Sequence, residues 1–217
     1  MTLFASIYIA VLAIVIPILA YKAMRALDAG LIIPRPLFYA EAVFLQLLLA
    51  AGAFVVAARN RIVLFRDTPI TPLHLAIGAG VLLFALGLML VGWKVAGPDS
   101  RHRIDAIVPA TASERIAWIG VSAVAGIVEE VAYRGVLMVL VVRMLGSWWL
   151  AAAICSVIFA LAHLLQGWKS AGAIAIFALV FHLMVRLTGG LYVGIVVHFV
   201  YDLATGWILG RRAHAQM

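Results

Sequence analysis

Long apolar runs separated by brief punctuation of charge, proline and glycine recur along this chain and leave little choice of fold. They cover about 3–21, 37–58, 73–93, 119–142, 148–165, 171–187 and 191–209. Several reach the roughly 18 to 20 residues needed to cross hydrocarbon. A backbone in lipid must satisfy its own polar groups, which a helix does within one segment. The expected fold is therefore all-α, a polytopic transmembrane helix bundle of about seven membrane segments, with six to eight compatible with the pattern. With 66% hydrophobic and 12% charged residues, a single integral-membrane domain over 1–217 accounts for the composition.

The formal charge of +7 raises nucleic acid as a partner. The basic residues, however, form neither a tract nor a stripe interleaved with aromatics, so no nucleic acid is expected. They lie mainly between apolar runs, where charge faces lipid headgroups and biases topology, which makes membrane lipid the expected partner. With the amino terminus outside, Lys22, Arg25, Arg35, Lys94, Arg101, Arg103, Arg115, Lys169, Arg211 and Arg212 fall inside, against Arg59, Arg61, Arg66, Arg143 and Arg186 outside. That division favours an outside amino terminus and an inside carboxyl terminus, in a bacterial inner membrane or another cell membrane. The first run has no basic segment before it and no small-residue cleavage signal after it, so it reads as a retained helix. Cys155, the single cysteine, reads as a small core residue, with no disulfide framework implied.

Within the run at 119–142, Gly126 to Gly135 reads G-I-V-E-E-V-A-Y-R-G. Ionisable groups in water-poor surroundings are costly unless paired, which makes a functional role the default reading. Glu130 and Arg134 are four apart, the helix-face spacing of an ion pair, so the expected task of Arg134 is to compensate Glu130. Glu129 projects about 100° away around the helix and faces something else. His163, near the end of a different run, and His198 and Asp202, four apart on one helical face, supply that partner. Tyr133, one turn beyond Glu129, is placed to donate a hydrogen bond to it or to a substrate. Three separated helices thus carry polar groups that are expensive in lipid, and convergence is the cheapest way to accommodate them.

The same residues have blander readings. A structural hydrogen-bonded network would also fix helix packing, and a proton or ion path uses the same residue types. Both weigh less than a chemical site, because two complementary sets of carboxylate and imidazole exceed what fixing one helix register requires. Gln46, a polar residue among apolar neighbours, reads as an internal hydrogen-bonding partner. His182, four residues before Arg186, reads as a packing histidine rather than a residue lining the site. His74 and His102 read as interfacial or solvated. Gly190 and Gly194 have the spacing of close helix packing. Thr111 and Glu114 resemble a capping box that starts a helix near Ala112.

The three motifs E129-E-V-A-Y-R134, F159-A-L-A-H163 and H198-F-V-Y-D202 resemble, in order and spacing, those of the CPBP family of intramembrane proteases. That family includes the type II CAAX prenyl endopeptidases and bacterial Abi or CAAX-protease-like proteins. The motif core covers about 115–210. The resemblance implies an intramembrane endopeptidase that hydrolyses a peptide bond in a membrane-associated peptide or a lipidated (CAAX-type) protein substrate. Carried over by motif, Glu129 is the essential first glutamate and His163 helps to position and activate water. His198 serves the oxyanion or a metal-like constellation. Asp202 stands where asparagine is frequent, and an ionised aspartate cannot donate a hydrogen bond, so it is expected to orient His198 instead. Glu130, Arg134 and Tyr133 support the geometry.

The resemblance leaves two versions of the chemistry. One is metal-free, with a Glu/His-activated water. In the other His163, His198 and Asp202 or Glu129 bind Zn2+. Without an H-E-x-x-H helix the metal-free version is favoured. A non-catalytic immunity or peptide-binding scaffold, and a proton or ion carrier, are the alternatives from other classes.

Overall fold

The computed structural model describes residues 2–214, so Met1 and 215–217 lie outside it. Among the described residues every regular element is helical. Five helices are long and apolar enough to cross a membrane. They are α1 (Leu3–Asp28), α2 (Arg35–Arg59), α3 (Pro72–Val95), α8 (Trp168–Thr188) and α9, which spans Tyr192–His214. The expected run at 148–165 forms a shorter apolar helix, α7 (Trp148–Ala162). The run at 119–142 lies inside three consecutive pieces: α5 (Ala112–Glu129), a π-helical segment (Glu130–Leu137) and α6 (Met138–Leu145). A short helix, α4 (Pro98–Ile107), fills the most polar stretch of the sequence. The long helices turn apolar side chains outward, Leu45, Leu48, Leu83 and Val91 all being more than half exposed. A surface of that kind belongs in lipid.

Local chemistry explains where the elements begin. Thr111 accepts from the amide of Glu114, and the Glu114 carboxylate accepts from the amides of Ala110 and Thr111, which completes the expected capping box of α5. Pro98 occupies the first turn of α4, where its missing N–H costs nothing. Gly146 ends α6 in the left-handed region at φ 66°, a conformation that disfavours a Cβ. The sequence had no means of announcing the π segment, because an extra residue per turn changes no composition. Such turns occur mostly as single wide turns inside α-helices, frequently at functional sites, although a second one, Val11–Val15, lies within α1.

The bundle is organised about the contact between α5 and α9. Gly194, His198, Asp202, Gly206 and Gly210 recur every fourth residue along α9 and form the kind of ridge that packs into a neighbouring groove. Trp118 of α5 lies across Gly206, where its Nε1 donates to the carbonyl of Asp202 at 3.0 Å. A Cβ at Gly210 would run into the Pro109 carbonyl. From the α5 side, a Cβ at Gly126 would stand 3.0 Å from the backbone nitrogen of Phe199 and 3.2 Å from the carbonyl of Ile195. Of the expected glycine pair, Gly194 is a close-packing position and Gly190 has open space around it.

A stability contrast follows from these glycines. Gly126→Val should lower the thermal midpoint in detergent, since overpacking against backbone costs about 1–3 kcal/mol. Gly120→Ala, on the same helix with nothing within 4 Å of its would-be Cβ, should leave the midpoint unchanged or raise it by up to about 1 kcal/mol equivalent. Circular-dichroism melts of the two variants check this, and equal behaviour would contradict the tight α5–α9 contact.

Helix α4 lies across one end of the bundle, held by polar contacts from its neighbours. Arg103 pairs with Asp28 at the end of α1. Arg35 Nη2 donates to the Asp105 carbonyl at 2.7 Å, Tyr39 to the Ile107 carbonyl at 2.8 Å, and Arg101 Nη2 to the Trp93 carbonyl at 3.3 Å. Beneath this end lies the cavity that contains the site.

Candidate active site

The π segment begins at the motif, and it sends its two carboxylates to different surroundings. Glu129, the last residue of α5, lines a cavity of about 330 Å³. Glu130, the first π residue, is completely buried in the dry packing between α5 and α9. Gly194 makes room for it, since a Cβ there would stand 3.0 Å from Glu130 Oε2. The expected Glu130–Arg134 pair is present at 3.1 Å, both side chains inaccessible to solvent. The contact has ion-pair distance without hydrogen-bond geometry, and the guanidinium nitrogens meet no hydrogen-bond acceptor. Instead the group lies over the ring of Phe159, 4.4 Å from its centroid, and near that of Phe181 at 5.3 Å. Cation–π attraction at desolvated sites reaches ~2 kcal/mol or more.

The two histidines meet the same oxygen of Glu129. His163, just past the end of α7, uses Nδ1 on the Phe159 carbonyl at 2.8 Å, and its Nε2 stands 3.6 Å from Glu129 Oε2. His198, on α9, uses Nδ1 on Glu130 Oε1 at 2.8 Å, and its Nε2 stands 3.8 Å from the same Glu129 oxygen. A carbonyl or carboxylate oxygen only accepts, so both Nδ1 atoms carry the proton and both Nε2 atoms face the cavity side. Glu129 Oε2 itself has no hydrogen-bond partner. One carboxylate oxygen and two imidazole nitrogens thus converge at separations just beyond direct hydrogen bonding, around an oxygen with almost no accessible surface of its own.

Exposure grades across the cluster. The His163 side chain is 25% exposed, Asp202 24% and Glu129 11%, against 4% for His198 and none for Glu130. The more exposed side is therefore His163, Glu129 and Asp202, and the closed, dry side is Glu130 and Arg134.

Tyr133 does not take the place at Glu129 that its spacing allowed, and Asp202 meets one particular nitrogen of His198. Asp202 Oδ2 is 3.6 Å from His198 Nε2, so it faces the cavity-side nitrogen, while Glu130 holds Nδ1 and fixes the tautomer. The Tyr133 hydroxyl makes no hydrogen bond to Glu129, and the ring packs edge-on against Phe159 at 4.9 Å, away from the cavity lining. His182 is buried outside the cavity lining, and Arg186 stacks on Trp148 at 4.4 Å.

Two residues stand in the site without a place in the expected set. Gln46 of α2 donates from Nε2 to Glu129 Oε1 at 2.6 Å. Its signal was visible as a polar side chain alone in an apolar run. Phe159 stacks on the His163 ring at 4.4 Å and lies edge-on to His198 at 6.4 Å, besides carrying Arg134 on its face. It opened the second motif, but an aromatic residue in a membrane helix carries no mark of that position.

Among the described residues no three or more His, Cys, Asp or Glu side chains are grouped so as to hold a metal ion. The candidate set His163, His198, Asp202 and Glu129 is not grouped to fit one in this arrangement.

Residues 111–204 match the family model described as Type II CAAX prenyl endopeptidase Rce1-like. The matched segment begins at the cap of α5 and ends just after Asp202, so it contains all three motifs. No curated protein and no solved structure matches the chain.

Proposed function

We propose that this chain, a member of the Rce1-like family through residues 111–204, is an intramembrane endopeptidase that hydrolyses a peptide bond with a water activated by Glu129 and His163. The observation that carries the reading is the unpartnered Glu129 Oε2, faced by two imidazole nitrogens at 3.6 and 3.8 Å on the wall of a cavity. Glu129 takes a proton from water as its oxygen attacks the scissile carbonyl carbon. His163 orients that water through Nε2. His198, held at Nδ1 by Glu130, presents Nε2 to the developing oxyanion and stabilises it when that nitrogen carries a proton. Asp202 supports the protonated form from 3.6 Å. The proton held by Glu129 then passes to the leaving nitrogen, and the second proton of the water leaves the new carboxyl group for the freed amine, so that one water and one peptide bond become a carboxylate and an ammonium group. Arg134 and Phe159 keep the dry side in place.

The substrate is a membrane-associated peptide. Away from Glu129 the cavity is walled by Phe38, Leu88, Met89, Trp93 and Ile104, which suits an apolar group carried near the scissile bond. The prenyl group of a CAAX-type protein and an apolar side chain of an unmodified peptide both have that character. We place the domain over 1–217, with about seven spans if the pieces at 112–145 and 148–162 also cross. The cavity lies at the end of the bundle that carries Arg35, Lys94, Arg115 and Lys169, the inside face by the positive-inside rule.

The test is cleavage by the purified chain in lipid vesicles, with a prenylated CAAX-type peptide, its unmodified counterpart and an unrelated transmembrane peptide. Cleavage of at least one, unaffected by a strong chelator, is the expected result. No cleavage of any, together with retained peptide binding, would replace the reading with that of a binding scaffold. Chelator-sensitive cleavage restored by zinc would overturn the metal-free chemistry. A proton flux through the vesicles without peptide would move the function to transport.

A further inference from the structure

Helix α2 lies outside the segment that carries the family's sequence, yet it makes the only hydrogen bond to the Glu129 carboxylate among the described residues. We propose that Gln46 is a positioning residue that holds the Glu129 carboxylate in its reactive orientation. The proposal rests on the reading of Glu129 as the group that takes the proton of water.

The geometry assigns the two ends of the Gln46 amide. A carboxylate accepts and does not donate, so the nitrogen must face Glu129. The bond is 2.6 Å long and goes to Oε1, on the short side of the ~2.7–2.9 Å of charge-assisted N–H contacts. With Oε1 tied, rotation of the carboxylate about its own axis is blocked, and Oε2 is the oxygen left facing His163 and His198. Without that bond the two oxygens become equivalent and the carboxylate turns freely in the cavity wall.

A purely architectural role is a poorer account of Gln46. Its neighbours Leu45, Leu47 and Leu48 are more than half exposed, as expected of a lipid-facing stretch, and an apolar residue would serve there equally well. The attachment of α2 to the rest of the bundle is already provided near its start by Tyr39 on the Ile107 carbonyl and by Arg35 on Asp105 and Glu114. The Gln46 side-chain oxygen has no hydrogen-bond partner, so the residue is not part of a wider network that would justify it structurally.

The test uses the full chain in vesicles with the peptide that the parent cleaves. Gln46→Met keeps length and apolar packing. Gln46→Asn keeps the amide but is one carbon too short to reach Glu129. Both should lower kcat by about 10- to 100-fold, since a reacting group displaced by ~1 Å costs about that much. KM should stay within about twofold, the pattern of an interaction that matters in the transition state. In parallel, the carboxylate stretching band of Glu129, identified by infrared difference against Glu129→Gln, should move in both variants. Parent-like kcat and an unmoved band would overturn the positioning role and leave hydrolysis standing. A raised KM with parent-like kcat would also overturn it, in favour of a packing role. Should the parent cleave nothing, the hydrolytic reading falls, and the infrared band alone decides whether Gln46 holds Glu129: an unmoved band overturns the contact. If Gln46→Met fails to fold, Gln46→Asn carries the same comparison.

Discussion

Glu129→Gln should lower kcat for peptide cleavage by about 10²- to 10⁴-fold, the range for removal of a general base, while leaving the fold and substrate binding near those of the parent. The substitution separates basicity from shape. A glutamine at 129 has the same outline, and its side-chain oxygen can still accept from Gln46 Nε2, now at 2.6 Å from Glu129 Oε1. Its NH₂ group would stand where Oε2 stands, 3.6 Å from His163 Nε2 and 3.8 Å from His198 Nε2, beyond direct hydrogen bonding and facing nitrogens that carry no proton to clash with it. Nothing in the packing is therefore lost, and removing a partly buried charge relieves a desolvation cost. What disappears is the oxygen that takes a proton from water. The measurement is a progress curve for peptide cleavage beside a thermal melt and a binding isotherm for the same peptide. Cleavage at the parent's rate would remove Glu129 from the chemistry. Loss of cleavage with an intact melt and intact binding separates a catalyst from a scaffold, because a scaffold has no rate to lose.

Much of this arrangement was legible because lipid constrains sequence so strongly. Apolar runs had to be helices, and Glu129, Glu130, Arg134, His163, His198 and Asp202 stood out because polar groups are expensive there. The four-residue spacings of Glu130 with Arg134 and of His198 with Asp202 carried directly into contacts of 3.1 and 3.6 Å. What could not be read was which carboxylate meets which nitrogen of His198. That depends on how far α5 is rotated against α9, which residue spacing within each helix does not give. Gln46 was recognisable as a hydrogen-bonding partner but not as the partner of Glu129, because the sequence gives no distance across 83 residues. The helix at Pro98–Ile107 was not expected from the sequence, where its residues form only a polar stretch between apolar runs, and its place across the end of the bundle is fixed by Asp28, Arg35 and Tyr39 from two other helices.

Arg134→Met should be the most destabilising single change at the site, costing about 3–5 kcal/mol, as expected when one member of a buried pair is removed. Glu130 has no exposed surface, and its Oε1 is shared between Arg134 at 3.1 Å and His198 at 2.8 Å. With Arg134 gone, one imidazole must compensate the carboxylate, and every alternative partner lies across the dry interior. The cation–π contact with Phe159 and Phe181 is lost as well, but that contributes only ~2 kcal/mol, and a methionine sulfur against the same rings returns part of it. Charge compensation is therefore the larger effect, and a double substitution isolates it. Glu130→Gln with Arg134→Met removes both charges, leaves an amide oxygen able to accept from His198 Nδ1, and should recover all but about 1–2 kcal/mol of the loss, consistent with buried pairs being replaceable by neutral groups at little cost. Thermal midpoints of the parent, the two single variants and the double variant in one detergent measure the coupling. A double variant as unstable as Arg134→Met would mean that the guanidinium acts through the aromatic rings and not through Glu130.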